Sequence, residues 1–470
     1  MTHLRPYSPL LLALIMSGCA LGPDYQRPQL DLPAQYHDNT DTVSTTHLGQ
    51  QSWRQYYRDP NLQRLIEQAL AQNLDLQSTA SKLRAARSQV TVTDAALYPE
   101  LSLSASGERS VDSGLTSTDP DIEDTLYLAG VVSWELDLWG ANRRRSQASY
   151  ANLLSSEQQM ALATVSLISD VASRYYQWLD VEQRYRISAS TVELRLKELE
   201  LARLRRANGV ISGLEVRQAE VEYQSARVTL PQLDFERKQT ANQLRILLGS
   251  FDQALQPDTR VDQPFQQLPD NLSVGVPSAM LTQRPDVQVA EQQLIAATAN
   301  VGVAKTAFFP SFTISGSYGH ESEQLGDILD SQGVTWSLLG GLTAPLFNAG
   351  RISAEYDIAK ENAEQALLAY RAVVLTAYFE VNDAINAYHR SQLAITAQEE
   401  LVASSTEYVR LARLRYTNGV ATSLDLLDAQ RQLFSAQLAL SQIKRDRMQS
   451  MVNLYRSLGG GADSAAAQQG

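Results

Sequence analysis

The second half of this 470-residue chain repeats the first at a spacing of about 210 residues. Asn208-Gly209-Val210 returns as Asn418-Gly419-Val420, Leu248-Gly249 as Leu458-Gly459, and Trp139-Gly140 as Ala349-Gly350. Further upstream the spacing becomes about 211, so Leu97-Tyr98-Pro99 aligns with Phe308-Phe309-Pro310 and Leu74-Asp75-Leu76-Gln77 with Pro285-Asp286-Val287-Gln288. Two units are too few for a solenoid, in which each repeat buries its face on the next. A duplicated half-structure that closes with copies from other chains satisfies the same pattern.

The start of the chain indicates a compartment. Arg5 precedes a short apolar run, Leu10 to Met16, and then Ser17-Gly18-Cys19. A basic start, a short apolar core and small residues mark residues 1–18 as a secretory signal peptide, too short to span a bilayer. Cys19 is the only cysteine, so neither a disulfide framework nor a cysteine-built zinc site is expected. Met16-Ser17-Gly18-Cys19 resembles the lipobox of bacterial lipoproteins, which implies that Cys19 becomes the acylated N-terminus. Ala20, rather than Asp, follows the pattern of outer-membrane sorting.

A net charge of −12 argues against a nucleic-acid partner and against attachment to anionic lipid by surface charge. Beyond the signal peptide no apolar run is long enough for a membrane-spanning helix. A membrane-spanning chain of this kind must use a closed strand barrel. Strand signals are present. From Leu126 to Leu138 the even positions are Leu126, Leu128, Gly130, Val132, Trp134, Leu136 and Leu138, while the odd ones include Ser133, Glu135 and Asp137. This period of two is that of a lipid-facing strand. Leu101, Leu103 and Ala105 alternate with serines in a partner strand, across a polar loop at about 110–124. The second repeat offers Phe312, Ile314, Gly316 and Tyr318, then Val334, Trp336, Leu338 and Leu342. Trp134, Trp139 and Trp336 lie in or beside these strands, where aromatic girdles occur. Four strands cannot close a membrane barrel, whose smallest form has about eight. Three chains supply twelve.

The rest of each repeat has the composition of long helix. Asn142 to Arg206 contains neither proline nor glycine, and its counterpart runs from Arg351 to Thr417. Tyr370, Val373, Ala377, Val381, Ala384 and Tyr388 recur at helical spacing as one apolar stripe. Helices of about 100 Å exceed an ordinary globular core and need partners of similar length. Asn73–Tyr98 with Ser212–Leu248, and Pro285–Phe309 with Thr422–Leu458, add up to such partners.

Three separated stretches then resemble one family. Cys19-Ala20-Leu21-Gly22-Pro23-Asp24-Tyr25-Gln26-Arg27-Pro28 is similar to the mature start of outer-membrane efflux lipoproteins. Arg284-Pro285-Asp286-Val287 with Ala290-Glu291 resembles the opening of the second repeat in the TolC-like outer membrane factor family, in its efflux lipoprotein (NodT/OprM-like) branch. Asn418-Gly419-Val420 through Leu426-Leu427-Asp428-Ala429-Gln430-Arg431 is the third stretch. The resemblance covers essentially the whole mature chain. It implies a mixed α and β membrane protein, a homotrimer whose 12-stranded β-barrel lies in the outer membrane and continues as a periplasmic α-helical barrel. It implies further that the protein is the exit duct of a tripartite efflux pump, with a periplasmic adaptor and an inner-membrane exporter as partners. The expected segments are an N-terminal lipidated and equatorial part at 19–72, helical barrel at 73–98, 140–250, 284–309 and 350–458, and strands with extracellular loops at 99–139 and 310–349. An equatorial connection occupies 251–283, and 459–470 is a disordered tail.

The tips carry the clearest local chemistry. Asn208, Gly209, Val210 and Asn418, Gly419, Val420 combine residues that tolerate left-handed backbone, so each triplet can end a long helix and reverse the chain. Ser212 before Glu215, and Thr422 before Asp425, have capping-box spacing. On the family resemblance these turns are the adaptor-docking tips. Leu424, Asp428 and Arg431 share one helix face, whereas their counterparts Leu214, Gln218 and Val221 lack both charges. Under threefold symmetry Asp428 forms a ring of carboxylates, a cation-selective constriction, with Leu424 as apolar ring and Arg431 as tether. Tyr416 is a further gate candidate. The bland alternative is an exposed Asp-Arg helix pair.

Other features suggest less. Arg143-Arg144-Arg145 is either a solvated helix start or a lipid contact, and Pro231 should bend its helix. His37, His47, His320 and His389 are far apart and lack metal-ligand spacing. With no phosphate loop or nucleophile motif, neither a cofactor nor catalysis is expected. Two alternatives to the efflux duct remain at this point: the duct of a one-step protein secretion system, and a periplasmic coiled-coil scaffold lipoprotein.

Overall fold

The structure, a computed structural model, describes residues 20–36, 51–112, 121–251, 276–328, 330 and 333–460. The signal peptide, Cys19, His37, His47, most of the 251–283 connection and nearly all of the 459–470 tail lie outside the described residues. By its contacts the chain divides into two units. One comprises Met1–Gln29, Lys82–Glu157 and Val289–Ala372; the other comprises Leu30–Ser81, Gln158–Gln288 and Val373–Gly470.

The first unit holds one antiparallel sheet. Its strands are β1 (Glu100–Asp112), β2 (Asp121–Leu136), β3 (Ser311–Ser322) and β4 (Val334–Thr343), in that spatial order. Directly opposed residues share a face, so the register reveals the sheet's two sides. One row runs Leu103, Gly130, Tyr318, Trp336, and the next Leu101, Val132, Gly316, Leu338. A row on the opposite face runs Ser102, Val131, Ser317, Ser337. All the apolar alternations of the two repeats therefore fall on one side of one sheet. That side is bare: Leu101, Leu103, Trp336 and Leu338 are each more than 70% exposed. The four expected strands are present among the described residues.

Two strand limits differ from the alternation. β2 begins at Asp121 rather than Leu126, because Arg109 on β1 grips Asp124 by a bidentate pair, both bonds 2.6 Å. Polar residues thus extend the hairpin where hydropathy gave a loop. Leu138 leaves the strand, its amide donating to the Leu136 carbonyl in a turn.

Each repeat also gives one 67-residue and one 35-residue helix. The helices are α1 (Pro60–Gln72), α2 (Leu74–Ala95), α3 (Ala141–Ala207), α4 (Gly213–Leu247), α5 (Pro285–Thr306), α6 (Arg351–Thr417) and α7 (Ser423–Ser457). Single helical turns at Trp53–Tyr56 and Met280–Gln283 precede α1 and α5. The stripe on α6 is buried at Tyr370, Ala377, Val381, Ala384 and Tyr388. Val373 is only half-buried, and the adjacent Val374 takes the interior position. Helix α4 runs through Pro231 as one element; the proline removes one amide donor without ending the helix.

The duplication is visible in the hydrogen bonds of the second unit. Asn73 Nδ2 donates to the Leu247 carbonyl at 2.9 Å, and its repeat counterpart Arg284 donates from Nη1 to the Ser457 carbonyl at 2.9 Å. Each ties the last turn of a 35-residue helix, whose end carbonyls have no partner within the helix. Packed rings of Tyr56, Tyr57 and Tyr455, with centroids 4.8–5.3 Å apart, fill the core nearby.

Candidate functional site

The first two stretches that carry the family resemblance touch one another. Arg27 holds Glu291 by two bonds, Nε to Oε1 at 2.7 Å and Nη2 to Oε2 at 2.6 Å, and Tyr25 adds a third from its hydroxyl at 2.8 Å. Glu291 is almost wholly buried, so these donors offset its loss of water. Burial and this carboxylate push the Tyr25 hydroxyl well above its usual range. The strap continues along the first unit. Leu21 donates to the Trp139 carbonyl at 3.0 Å, and Arg144 reaches Asp24 at 2.8 Å as well as the carbonyls of Ala20, Leu21 and Gly22. A Cβ on Gly22, whose φ is +111°, would lie 2.4 Å from the Gly302 Cα, so only glycine fits there. Of the basic triplet, Arg144 is therefore neither solvated nor a lipid contact: it is 5% exposed and clamps the residues immediately after Cys19.

Arg284, the first residue of the second stretch, is also a structural anchor. It bonds Asp286 and Glu380, each at 2.6 Å, and the Ser457 carbonyl. Burial opposes its charge, but the two carboxylates outweigh it and raise its pKa. Burial likewise pushes the nearby Tyr36 hydroxyl up to about 12.

The tips lie in the second unit. In both, glycine alone takes the left-handed backbone, with φ +75° at Gly209 and +74° at Gly419. The asparagines do not; instead Asn208 and Asn418 donate from Nδ2 to the Leu204 and Leu414 carbonyls, at 2.8 and 2.9 Å. Val210 bonds the Arg205 carbonyl and Gly209 that of Arg206, with Val420 to Arg415 and Gly419 to Tyr416 in the second repeat. This is the Schellman pattern, which satisfies the last carbonyls of each long helix. Val210 and Val420 project outward, 70% and 68% exposed. Both capping boxes form, Ser212 with Glu215 and Thr422 with Asp425. Bonds from the Thr422 hydroxyl and amide hold the Asp425 carboxyl below its usual range.

Leu424, Asp428 and Arg431 occupy one face of α7, and each is roughly half exposed. The opposite face is buried through Leu426, Leu427, Ala429 and Gln430. Arg431 pairs with Asp428 of its own helix at 3.2 Å and with Glu222 of α4 at 3.8 Å. Gln432 also donates to Asp428, at 2.8 Å. Tyr416 sits differently, packed against Ala412, Leu426 and Ala429, with its hydroxyl accepting from Arg205 at 3.1 Å. It joins the two hairpins instead of lining the same face as Asp428.

Sequence spacing missed the polar layer behind this face. Arg195 of α3 is 4% exposed and bonds Gln430 of α7, with Glu198 at 3.4 Å and Glu222 at 3.6 Å. Gln430 in turn donates to Glu198 at 2.6 Å, and Arg413 of α6 approaches Glu198 at 3.9 Å. Four helices thus share one network of charged and amide side chains. Only the Arg195–Glu198 spacing was visible in the sequence, because every other partner is far away in the chain. Among the described residues no cluster of His, Cys, Asp and Glu could hold a metal ion.

The chain matches the family model described as outer membrane efflux protein over residues 65–250 and 276–460, one block per repeat. It is 35% identical to the probable efflux pump outer membrane protein TtgC of Pseudomonas putida, over 96% of this chain and 94% of the relative. With the cation efflux system protein CusC of Escherichia coli it shares 31% identity, over 96% and 98% respectively. Its fold superposes on the open-state MtrE outer membrane channel of Neisseria gonorrhoeae with a TM-score of 0.86, at 30% identity, covering 94% of this chain and 99% of that one. A sheet with one apolar face, two capped helical hairpins and a match spanning both repeats agree: the chain belongs to the outer membrane efflux protein family.

Proposed function

We propose that this protein is the outer-membrane exit duct of a tripartite efflux pump, passing drug-sized solutes from the periplasm to the outside. The four-stranded sheet carries the reading. Its apolar face suits lipid, its Ser- and Thr-rich face suits a water-filled lumen, and its outer strands β1 and β4 have free edges among the described residues. Three copies joined edge to edge give twelve strands. A periplasmic scaffold has no use for such a sheet, and the relatives' names speak of efflux. The duct is passive and carries out no catalysis.

Cys19 is the acylation site. Arg144 and Glu291 fix the strap that follows it, which supports an anchored N-terminus. The Asn-Gly-Val tips receive the periplasmic adaptor, and the face of Leu424, Asp428 and Arg431 forms the gate, opened by adaptor and inner-membrane exporter. Tyr416 and Arg205 hold the two hairpins of one chain together behind that gate. Deleting the gene should raise accumulation of a fluorescent efflux dye, and the wild-type gene should restore efflux. The purified protein should have the mass of three chains. A monomer, or dye accumulation indifferent to the gene, would overturn the reading.

A further inference from the structure

Behind the face of Leu424, Asp428 and Arg431 lies a buried arginine on another helix. Arg195 of α3 is 4% exposed, and its guanidinium donates to Gln430 of α7. It also meets Glu198 at 3.4 Å and Glu222 of α4 at 3.6 Å. None of these partners belongs to the face itself, yet two of them lead to it. Glu222 turns Oε2 to Arg195 and Oε1 to Arg431, the latter at 3.8 Å, while Arg431 holds Asp428 at 3.2 Å. Gln430 is the residue next to Arg431.

We propose that Arg195 is a positioning residue for the gate: through Gln430 and Glu222 it sets where Asp428 and Arg431 point, and so favours the closed duct. This inference rests on the gate reading above and adds what holds that gate from behind. The first route is the rotation of α7. Gln430 follows Asp428 by two residues, about 200° around a helix, so holding Gln430 inward turns Asp428 to the exposed side. The second route is the carboxylate of Glu222. Its side chain is 15% exposed and has given up most of its water, so it needs a cation that stays in place. Arg431 is half exposed and can exchange the contact for solvent; buried Arg195 cannot. Arg195 therefore keeps Glu222 where Arg431 can find it.

The duplication supplies an independent comparison. At a shift of 210, Arg195 and Glu198 become Ser405 and Tyr408, while Gln430, Glu222 and Arg431 correspond to Glu220, Gln432 and Val221. Arg413 alone keeps its type, as Arg203, which pairs with Glu220 at 3.6 Å. The turns below these positions are the same in both repeats, down to the Asn-Gly-Val triplets and the capping boxes. A layer needed only to fold a hairpin belongs in both copies. This one accompanies the charged face and is missing where that face carries Gln218 and Val221.

The test is single-channel conductance of the full-length trimer in a planar bilayer. Arg195→Gln should raise conductance several-fold and retain the preference for cations, because the Asp428 carboxylates remain. The charge-balanced variant R195Q/E198Q should do the same, and it strands fewer buried carboxylates if the single variant does not assemble. A residue that only supported the fold would add its effect to any other. One that acts through the gate charges should not, so R195Q placed in the D428A/R431A variant should raise conductance no further. Wild-type conductance in both Arg195 variants, beside an opened D428A/R431A, would overturn the positioning role and leave the gate standing. Additive opening in the triple variant would overturn it too, and would mark Arg195 as structural. If D428A/R431A itself conducts as the wild type does, the gate reading falls and this inference falls with it.

Discussion

At Glu291 three donors converge on one buried carboxylate, and all three belong to a segment 264 or more residues earlier in the chain. Glu291→Ala removes the acceptor that Arg27 and Tyr25 share. Arg27 is half exposed and regains water, so the expected cost is on the order of 2 kcal/mol, less than for a fully buried pair. Limited proteolysis should then cut the strap near Arg27 faster, with the helical signal retained; unchanged cleavage would show that the strap is held elsewhere. Cys19→Ser should abolish labelling by a fatty-acid probe, and labelling that persists would remove the acylation claim. The Asp24-Tyr25-Gln26-Arg27-Pro28 and Ala290-Glu291 stretches stood out in the sequence, but their contact did not. Residue spacing carries no information about an ion pair between distant segments. Arg144 was misread for the same reason, since a basic triplet at a helix start looks solvated until its partners are seen.

At the scale of elements, period and punctuation were legible. The long helices end at the Asn-Gly-Val triplets because the glycine takes φ near +75° and the following amides reach back to the final carbonyls. Less legible were elements held only by pairing, such as the start of β2, where an ion pair extends a hairpin whose hydropathy reads as loop. A Cβ at Gly209 or Gly419 meets nothing within 4 Å, so Gly209→Leu or Gly419→Leu strains the backbone alone, by about 1–2 kcal/mol. The oligomer should persist while adaptor cross-linking and efflux fall. A folded oligomer with wild-type cross-linking and efflux would reduce the tips to structural turns. Acid should loosen the second tip in a defined direction. The Asp425 carboxyl is held below its usual range by Thr422, so its contribution is complete above the unfolded value of about 4 and is lost as pH falls through the lower folded value. Amide exchange at Ser423–Asp425, corrected for intrinsic rates, should rise below about pH 4, and Asp425→Asn should remove that dependence. Exchange that is flat with pH would contradict it.

At the scale of the whole molecule, the sheet has two unpaired edges and an uncovered apolar face among the described residues. The fold class was legible because alternation and helical period are local, and the duplication made each half corroborate the other. The proposed gate was legible only in part. The repeat comparison singled out Asp428 and Arg431 by their charges, but Glu222 and the Arg195 layer behind them needed the packed helices. Asp428→Ala with Arg431→Ala removes three carboxylates from the trimer and frees α7 from Glu222, so the closed-open balance should shift toward open. Single-channel conductance in a planar bilayer tests the duct most directly. The wild-type trimer should conduct poorly and prefer cations; the double variant should conduct several-fold more and lose that preference, and Gln218→Ala with Val221→Ala should match the wild type. Equal conductance and selectivity in all three proteins, or no channel in any of them, would contradict the account.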